Sequence, residues 1–342
     1  MKPLVKYISF VALSIFFYTG NAWALNQDQL MSSFLSVVMI RGYNEAGGLA
    51  FGSGVVVGDN EVVTNCHVLR RTKQPWVSQG EDTYSVTAVK ADRWHDLCLV
   101  TTFGMPHKSV PMGKSTDLKK GQEVIAIGHS NGVPAPLTSA GVVKSIYDLD
   151  QGKVILSSAQ FRMGASGSGL FDTEGRLVGI NTFKTSGRNS FYYALPVEWL
   201  NSLKNKPTET NCPSTGTALW EEEEDKKPIF LQVAIPTIKE DWRKLFDVAS
   251  EWTKKEKNNA EAWFELGLAN EHLNNLSEAE KAYRQSTKLD NQNTDALLRL
   301  GFIAKTKEDK NEIKNIQEQI AKINPELLED YYQLVGCSKP CE

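Results

Sequence analysis

The chain has 342 residues, with 38 Lys+Arg against 41 Asp+Glu and a formal net charge of −3. Residues 25–207 carry 18 basic and 15 acidic side chains and residues 208–342 carry 18 and 26, so neither half is basic enough to make nucleic acid the expected partner. The length exceeds one ordinary domain, and two are expected.

Residues 1–24 open with Lys2 and Lys6, run apolar from Tyr7 to Tyr18 and end in Ala22-Trp23-Ala24. This is the pattern of a secretory signal cleaved ahead of Leu25, so an exported chain, periplasmic or secreted, is expected. The apolar run is shorter than the roughly 20 residues that span a bilayer, and no other segment approaches that length; no stable membrane insertion is expected. After a short helix over Gln27 to Leu35, apolar runs punctuated by turn residues predict strands at Val37 to Arg41, Gly54 to Val57, Val62 to Asn65 and Leu97 to Thr101. Others follow at Glu123 to Gly128, Val154 to Ser158, Leu177 to Phe183 and Phe191 to Leu195. Many short strands without intervening helices argue for a barrel or sandwich over 25–203, closed by a helical segment from Pro196 to Leu203. Residues 204–228 contain prolines, threonines and the acidic run Glu221 to Asp225, and read as a solvated linker. From Ile229 the apolar spacing turns helical, defining a second unit over 229–335 and a short tail over 336–342.

Chemistry concentrates in three motifs of the first unit. The stretch Gly164-Ala165-Ser166-Gly167-Ser168-Gly169-Leu170 sets serines in a bend able to aim a hydroxyl outward and backbone N–H groups at a developing oxyanion. Val62-Val63-Thr64-Asn65-Cys66-His67-Val68 ends an apolar strand in a histidine, and His95-Asp96-Leu97-Cys98-Leu99-Val100 opens another with an aspartate. The order His, Asp, Ser is that of a chymotrypsin-type triad. On these motifs residues 37–200 resemble a trypsin-like serine peptidase of the HtrA (DegP-like) branch, supported by Gly52-Ser53-Gly54, Gly141-Val142-Val143, Gly179-Ile180-Asn181-Thr182 and Tyr193-Ala194-Leu195-Pro196-Val197. The resemblance implies an all-β fold of two six-stranded barrels with the site between them. It implies His67 as general base, Asp96 as its orienter, Ser166 as nucleophile and an oxyanion hole from the Gly164 and Ser166 N–H groups. Ser168 is the competing nucleophile. A specificity pocket is implied around Gln160, Thr182, Phe183, Lys184 and the strand Ser190 to Ala194; it lacks a basal aspartate, which disfavours Lys or Arg and leaves small or medium apolar side chains. The family's usual PDZ continuation is absent from this pattern, and regulation by peptide termini is not carried over.

Within 260–293, Trp263, Leu266, Gly267, Ala279 and Tyr283 fall at the offsets of a tetratricopeptide repeat, a helix-turn-helix unit of about 34 residues. Leu297, Leu300 and Gly301 begin a second copy that closes near Pro325, with Trp242 to Trp252 and Leu327 to Leu334 as flanking helices. The expected fold class is thus an all-β double barrel followed by all-α helical repeats, the repeats engaging a protein partner or substrate.

Five cysteines in an exported chain favour disulfides. Cys66 precedes the candidate base and Cys98 lies two residues beyond the candidate acid, on segments the triad must bring together, so they are candidates for a bridge; two buried thiols remain the alternative. Cys337 and Cys341 can pair with each other or with Cys212. His95 has no second ligand at metal spacing, and His95, His107, His129 and His272 read as loop or surface residues. No metal or cofactor is needed. The reading that follows is an exported serine endopeptidase working through an acyl-enzyme, its alternative an inactive or weakly active peptidase-fold scaffold acting through the repeats.

Overall fold

In the computed structural model, which describes residues 27–106, 108–185, 190–210, 215–337 and 340–341, the glycine-punctuated first half pairs into two antiparallel barrels. The first contains β1 (Val37–Tyr43), β2 (Leu49–Gly58), β3 (Glu61–Asn65), β4 (Lys73–Gln79), β5 (Asp82–Asp92) and β6 (Leu97–Thr102), and β5–β6 pairing closes it. The second contains β7 (Glu123–Gly128), β8 (Leu137–Leu149), β9 (Gly152–Ser157), β10 (Ser168–Phe171), β11 (Leu177–Lys184) and β12 (Tyr192–Pro196) in the closed order β10-β11-β12-β9-β8-β7.

The strands legible in the sequence are those buried nearly end to end, such as β3, β6, β7 and β9. Those missed have other reasons. β4 carries Pro75, β5 sets exposed Thr83, Ser85 and Thr87 between only half-buried Tyr84, Val86 and Ala88, β8 leaves three of its first six residues exposed, and β10 is only four residues long.

Segment 204–228, expected as a solvated linker, is mostly exposed but is anchored to the first barrel at a few points. Its β13 (Thr208–Glu209) adds to the edge of β5, pairing Thr208 with Lys90 and Glu209 with Val89. Ala218 and Leu219 are buried, and Glu221 forms an ion pair with Arg70 at 2.5 Å. Only Glu223, Glu224 and Asp225 of the acidic run are exposed. The physical reason is the apolar island Ala218-Leu219-Trp220, too short to show a period yet apolar enough to drive burial. Cys212 lies outside the described residues, as do residues 1–24 and His107.

The second half is helical: Trp242–Lys255, Ala260–His272, Leu276–Leu289, Thr294–Thr306, Lys310–Ile323 and Leu328–Val335. Asn259 and Asn293, 34 positions apart, each accept backbone N–H groups at the start of a repeat helix. At Gly267 a Cβ would lie 2.6 Å from the Tyr283 ring, so the repeat needs glycine where its two helices cross. Cys337 is bonded to Cys341.

The halves share a core. Tyr147 of β8 stacks on Phe230 with ring centroids 4.6 Å apart, and Phe230, Leu231, Leu245, Trp252 and Leu268 belong to the cluster that contains Tyr147, Tyr193 and Leu195. Nearby, the buried Lys120 ammonium reaches Glu261 at 3.2 Å and Asp295 at 3.0 Å. Burial alone would push this ammonium down, but the two carboxylates outweigh it and raise it above the ordinary lysine value.

Candidate active site

The junction of the barrels gathers the motif residues. β3 ends at Asn65, and the chain turns at once into a one-turn helix, Cys66–Arg70, with His67 in its first turn. Asp96 sits just before β6 at φ +54°, a left-handed conformation that aspartate tolerates better than most residues. Its backbone carbonyl accepts the Cys66 N–H at 3.1 Å and its Oδ1 accepts the His67 N–H at 2.8 Å, so the aspartate also caps the short helix. Its Oδ2 lies 2.6 Å from His67 Nδ1. Asp96 is fully buried and His67 is 7% exposed. This contact uses Nδ1 and leaves Nε2 as the ring nitrogen available to a substrate-facing group.

The helix is covalently tied to the strand that carries Asp96. Cys66 and Cys98 are bridged, with sulfurs 2.05 Å apart and Cα atoms 5.0 Å apart, while Thr64 and Cys98 stand opposite each other in the β3–β6 register. Burial of both sulfurs keeps the bridge inside the first barrel's core.

The serine loop runs from β9 to β10 and is clamped by Ser53. Ser53 Oγ donates to the Gly164 carbonyl at 2.8 Å, and Ser53 N–H donates to the Ser166 carbonyl at 2.8 Å. At Gly167, with φ +86°, a Cβ would fall 2.2 Å from the Ser53 carbonyl oxygen, so only glycine fits. Ser166 is half-buried and donates to the Thr182 carbonyl at 3.2 Å. No Ser166–His67 hydrogen bond forms among the described residues; hydroxyl and base are often loosely aligned before substrate binds. The N–H groups of Gly164 and Ser166 donate to no protein acceptor among the described residues. Ser168 is fully buried and accepts from Asn181 Nδ2 at 3.0 Å.

The expected pocket residues divide. Gln160 and Lys184 are exposed, whereas Thr182 is buried and accepts from Asn65 Nδ2 at 3.0 Å. Phe183 stacks on Tyr193 at 4.7 Å and on Trp220 at 5.2 Å, which commits its ring to packing.

Two histidines read as loop or surface residues are instead built in. His129 is buried, with Nδ1 2.9 Å from the Val133 carbonyl, and burial pushes its ring down from the ordinary histidine value. His95 lies between Asp92 and Asp150, 3.0 Å from each, and against Trp199. Burial works against its charged form, but the two carboxylates outweigh that and raise its protonation. A histidine's paired carboxylates come from the fold, which its flanking residues do not reveal. Sequence reasoning also gave no role to Asn65, which donates to both the Asp96 carbonyl and Thr182 Oγ1, each at 3.0 Å, or to Trp220, whose indole N–H donates to Asp96 Oδ2 at 3.0 Å.

Two six-stranded antiparallel barrels with a buried His–Asp pair and a glycine-bounded serine loop at their junction define the chymotrypsin-like class. Residues 52–180 match the trypsin-like peptidase domain family, and residues 260–293 match the tetratricopeptide repeat. The chain is 31% identical over 172 residues to the mitochondrial serine protease HTRA2 of Bos taurus, covering 47% of this chain and 37% of that protein. It is 29% identical over 175 residues to a probable periplasmic serine endoprotease DegP-like of Hahella chejuensis, covering 48% of this chain and 37% of that protein. The chain therefore spans well under half the length of these relatives. The Rv3671c protease of M. tuberculosis, in its active form, shares the fold with a TM-score of 0.50 and 20% identity over 57% of this chain and 89% of that one. The protein carries a trypsin-like peptidase domain that resembles the HtrA/DegP-like proteases, followed by a tetratricopeptide-repeat region. Family likeness supports a serine endopeptidase, at modest identity and over part of the chain. No helix among the described residues is long and apolar enough to cross a membrane.

Proposed function

We propose that the protein is an exported serine endopeptidase with Ser166 as nucleophile, His67 as general base and Asp96 as the group that orients it. The observation that carries this reading is the 2.6 Å contact between buried His67 Nδ1 and Asp96 Oδ2, which favours the tautomer that makes Nε2 the base. Ser166 Oγ attacks a peptide carbonyl carbon while its proton passes to Nε2. The Gly164 and Ser166 N–H groups, unoccupied by protein acceptors among the described residues, receive the negative charge that develops on the carbonyl oxygen. Breakage of the C–N bond takes the proton from the imidazolium to the leaving amine, and water, deprotonated by the same base, releases the acyl group.

Ser168 is the weaker candidate, because it is buried and engaged by Asn181. Gln160, Lys184 and the backbone of Thr182 and Phe183 border the substrate channel, and small or medium apolar side chains are the preferred residues. Export rests on the charged and apolar pattern of residues 1–24, with maturation at Leu25. The repeats contribute binding to a protein partner or substrate, with the barrel-facing side of Glu261 already used within the chain.

Casein hydrolysis by the mature chain tests the reading. Ser166→Ala should lower the turnover rate by on the order of 10⁴ or more, since triad members act as a unit. Equal cleavage by wild type and Ser166→Ala would reject this nucleophile, and no cleavage by either would leave the scaffold reading.

A further inference from the structure

Trp220 belongs to neither barrel, yet its side chain touches both halves of the site. Its indole N–H donates to Asp96 Oδ2 at 3.0 Å, the same oxygen that pairs with His67 Nδ1. Its ring meets the His67 imidazole edge-on, with centroids 5.4 Å apart and planes at 82°, and it stacks on Phe183. Phe183 directly follows Thr182, whose carbonyl accepts the Ser166 hydroxyl. One ring therefore spans from the acid–base pair of the first barrel to the strand supporting the serine in the second.

The segment that brings Trp220 there is anchored to both elements bearing that pair. Leu219 is fully buried, and its N–H donates to the carbonyl of Trp94, two residues before Asp96. Glu221 pairs with Arg70, which closes the helix carrying His67, and the same arginine donates to the Gly216 carbonyl at 2.5 Å. A loosely draped loop would not hold an indole N–H within hydrogen-bond range of a buried carboxylate.

The Oδ2 oxygen needs this donor for a physical reason. The other two donors to this carboxylate, the His67 N–H on Oδ1 and the His67 ring on Oδ2, both belong to His67, and a carboxylate that shifts off Nδ1 no longer selects the tautomer in which Nδ1 carries the proton. A donor from a separate, stacked ring ties Oδ2 to a second element and holds the carboxylate against His67, while the ring itself covers the pair. We propose that Trp220 is a positioning residue of the peptidase site, holding Asp96 in register with His67 through its indole N–H. This inference rests on the peptidase reading of His67, Asp96 and Ser166.

The test combines kinetics with a measurement independent of turnover. Trp220→Phe keeps an aromatic ring for stacking and removes the N–H. On a small peptide ester it should lower kcat about tenfold with KM changed less than about twofold, the pattern of an interaction realised in the transition state. In a Ser166→Ala background, proton NMR should show the low-field His67 Nδ1–H signal shifting or broadening on Trp220→Phe. A wild-type kcat together with an unchanged Nδ1–H signal overturns the proposal. So does a raised KM at unchanged kcat, which would make Trp220 a wall of the substrate channel. Should Trp220→Phe fail to fold, the Trp220 indole N–H signal of the Ser166→Ala chain decides: slow exchange and a marked shift on Asp96→Asn support the bond, and fast exchange or no response sinks it. If Ser166→Ala cleaves as fast as wild type, the assignment of Ser166 as nucleophile fails separately, and the NMR measurements still judge the Trp220–Asp96 contact.

Discussion

Ser166 and Ser168 stand two positions apart on one loop and meet different surroundings, which is where residue chemistry decides between them. Ser168 Oγ accepts from Asn181 Nδ2, and that amide also donates to the Gly169 carbonyl at 2.8 Å. Removing the hydroxyl therefore strands little: Ser168→Ala should keep hydrolysis within about tenfold of wild type and lower stability by about 1 kcal/mol, as judged by urea denaturation. A loss matching that of Ser166→Ala would transfer the nucleophile's role to Ser168. Glu265 offers a second test at this scale. Its Oε2 is buried without a hydrogen-bond partner among the described residues, and burial, reinforced by Glu261 and partly opposed by Lys120, pushes the carboxyl up to about 8. Between its ordinary value of 4.5 and about 8 the folded chain holds more protons than the unfolded one, so the favourable neutral form is complete below that window and is lost as pH rises through it. Wild type should lose stability relative to Glu265→Gln as pH is raised across the window, since the amide cannot ionise; parallel stability curves would remove Glu265 as the cause. The His67, Asp96 and Ser166 motifs were legible because each is written in a run of adjacent residues. Trp220 and Glu265 were not, because their roles arise from contacts such as Trp220 to Asp96, separated by 124 positions.

Among elements, the meeting of β3, the His67 helix and β6 carries the His67–Asp96 pair, and the Cys66–Cys98 bridge closes a 32-residue separation across it. Constraining a loop of that size in the unfolded chain is worth about 3–4 kcal/mol in the chain-entropy account. The double variant Cys66→Ala/Cys98→Ala should lose about that much stability in guanidinium denaturation and lose activity at lower temperature than wild type. Retention of full stability would make the bridge incidental to the site. The strands at this junction were readable as continuous apolar runs, and the repeat helices as spaced apolar residues behind Asn259 and Asn293. The anchoring of segment 204–228 was not legible because composition averages over its length, whereas burial there depends on Ala218, Leu219 and Trp220. The short apolar run Ala218-Leu219-Trp220 in an otherwise polar stretch was the available cue.

At the scale of the molecule, the question is whether peptidase and repeats are separable modules, as their opposite charge balance suggests, or a single cooperative body. The core answers for cooperation: Tyr147 and Tyr193 of the second barrel share a buried cluster with Phe230, Leu245 and Trp252 of the helical half. Cutting that cluster would expose large aromatic and aliphatic faces on both sides, unlike the polar contacts that usually join independent domains. Beside it, Lys120 reaches out from the second barrel to Glu261 and Asp295 on the first helices of successive repeats, and Ser145 Oγ donates to the other Glu261 oxygen at 3.1 Å. Lys120→Ala would leave the Glu261 carboxylate buried without its counter-charge, a loss of about 3–5 kcal/mol. Calorimetry of the full chain should therefore show one endotherm with equal calorimetric and van't Hoff enthalpies, and Lys120→Ala should move the whole of it to lower temperature. Two resolved transitions, with the substitution shifting neither or only the smaller, would mean that the shared core is too weak to couple the halves and that the repeats ride on the peptidase as a detachable domain.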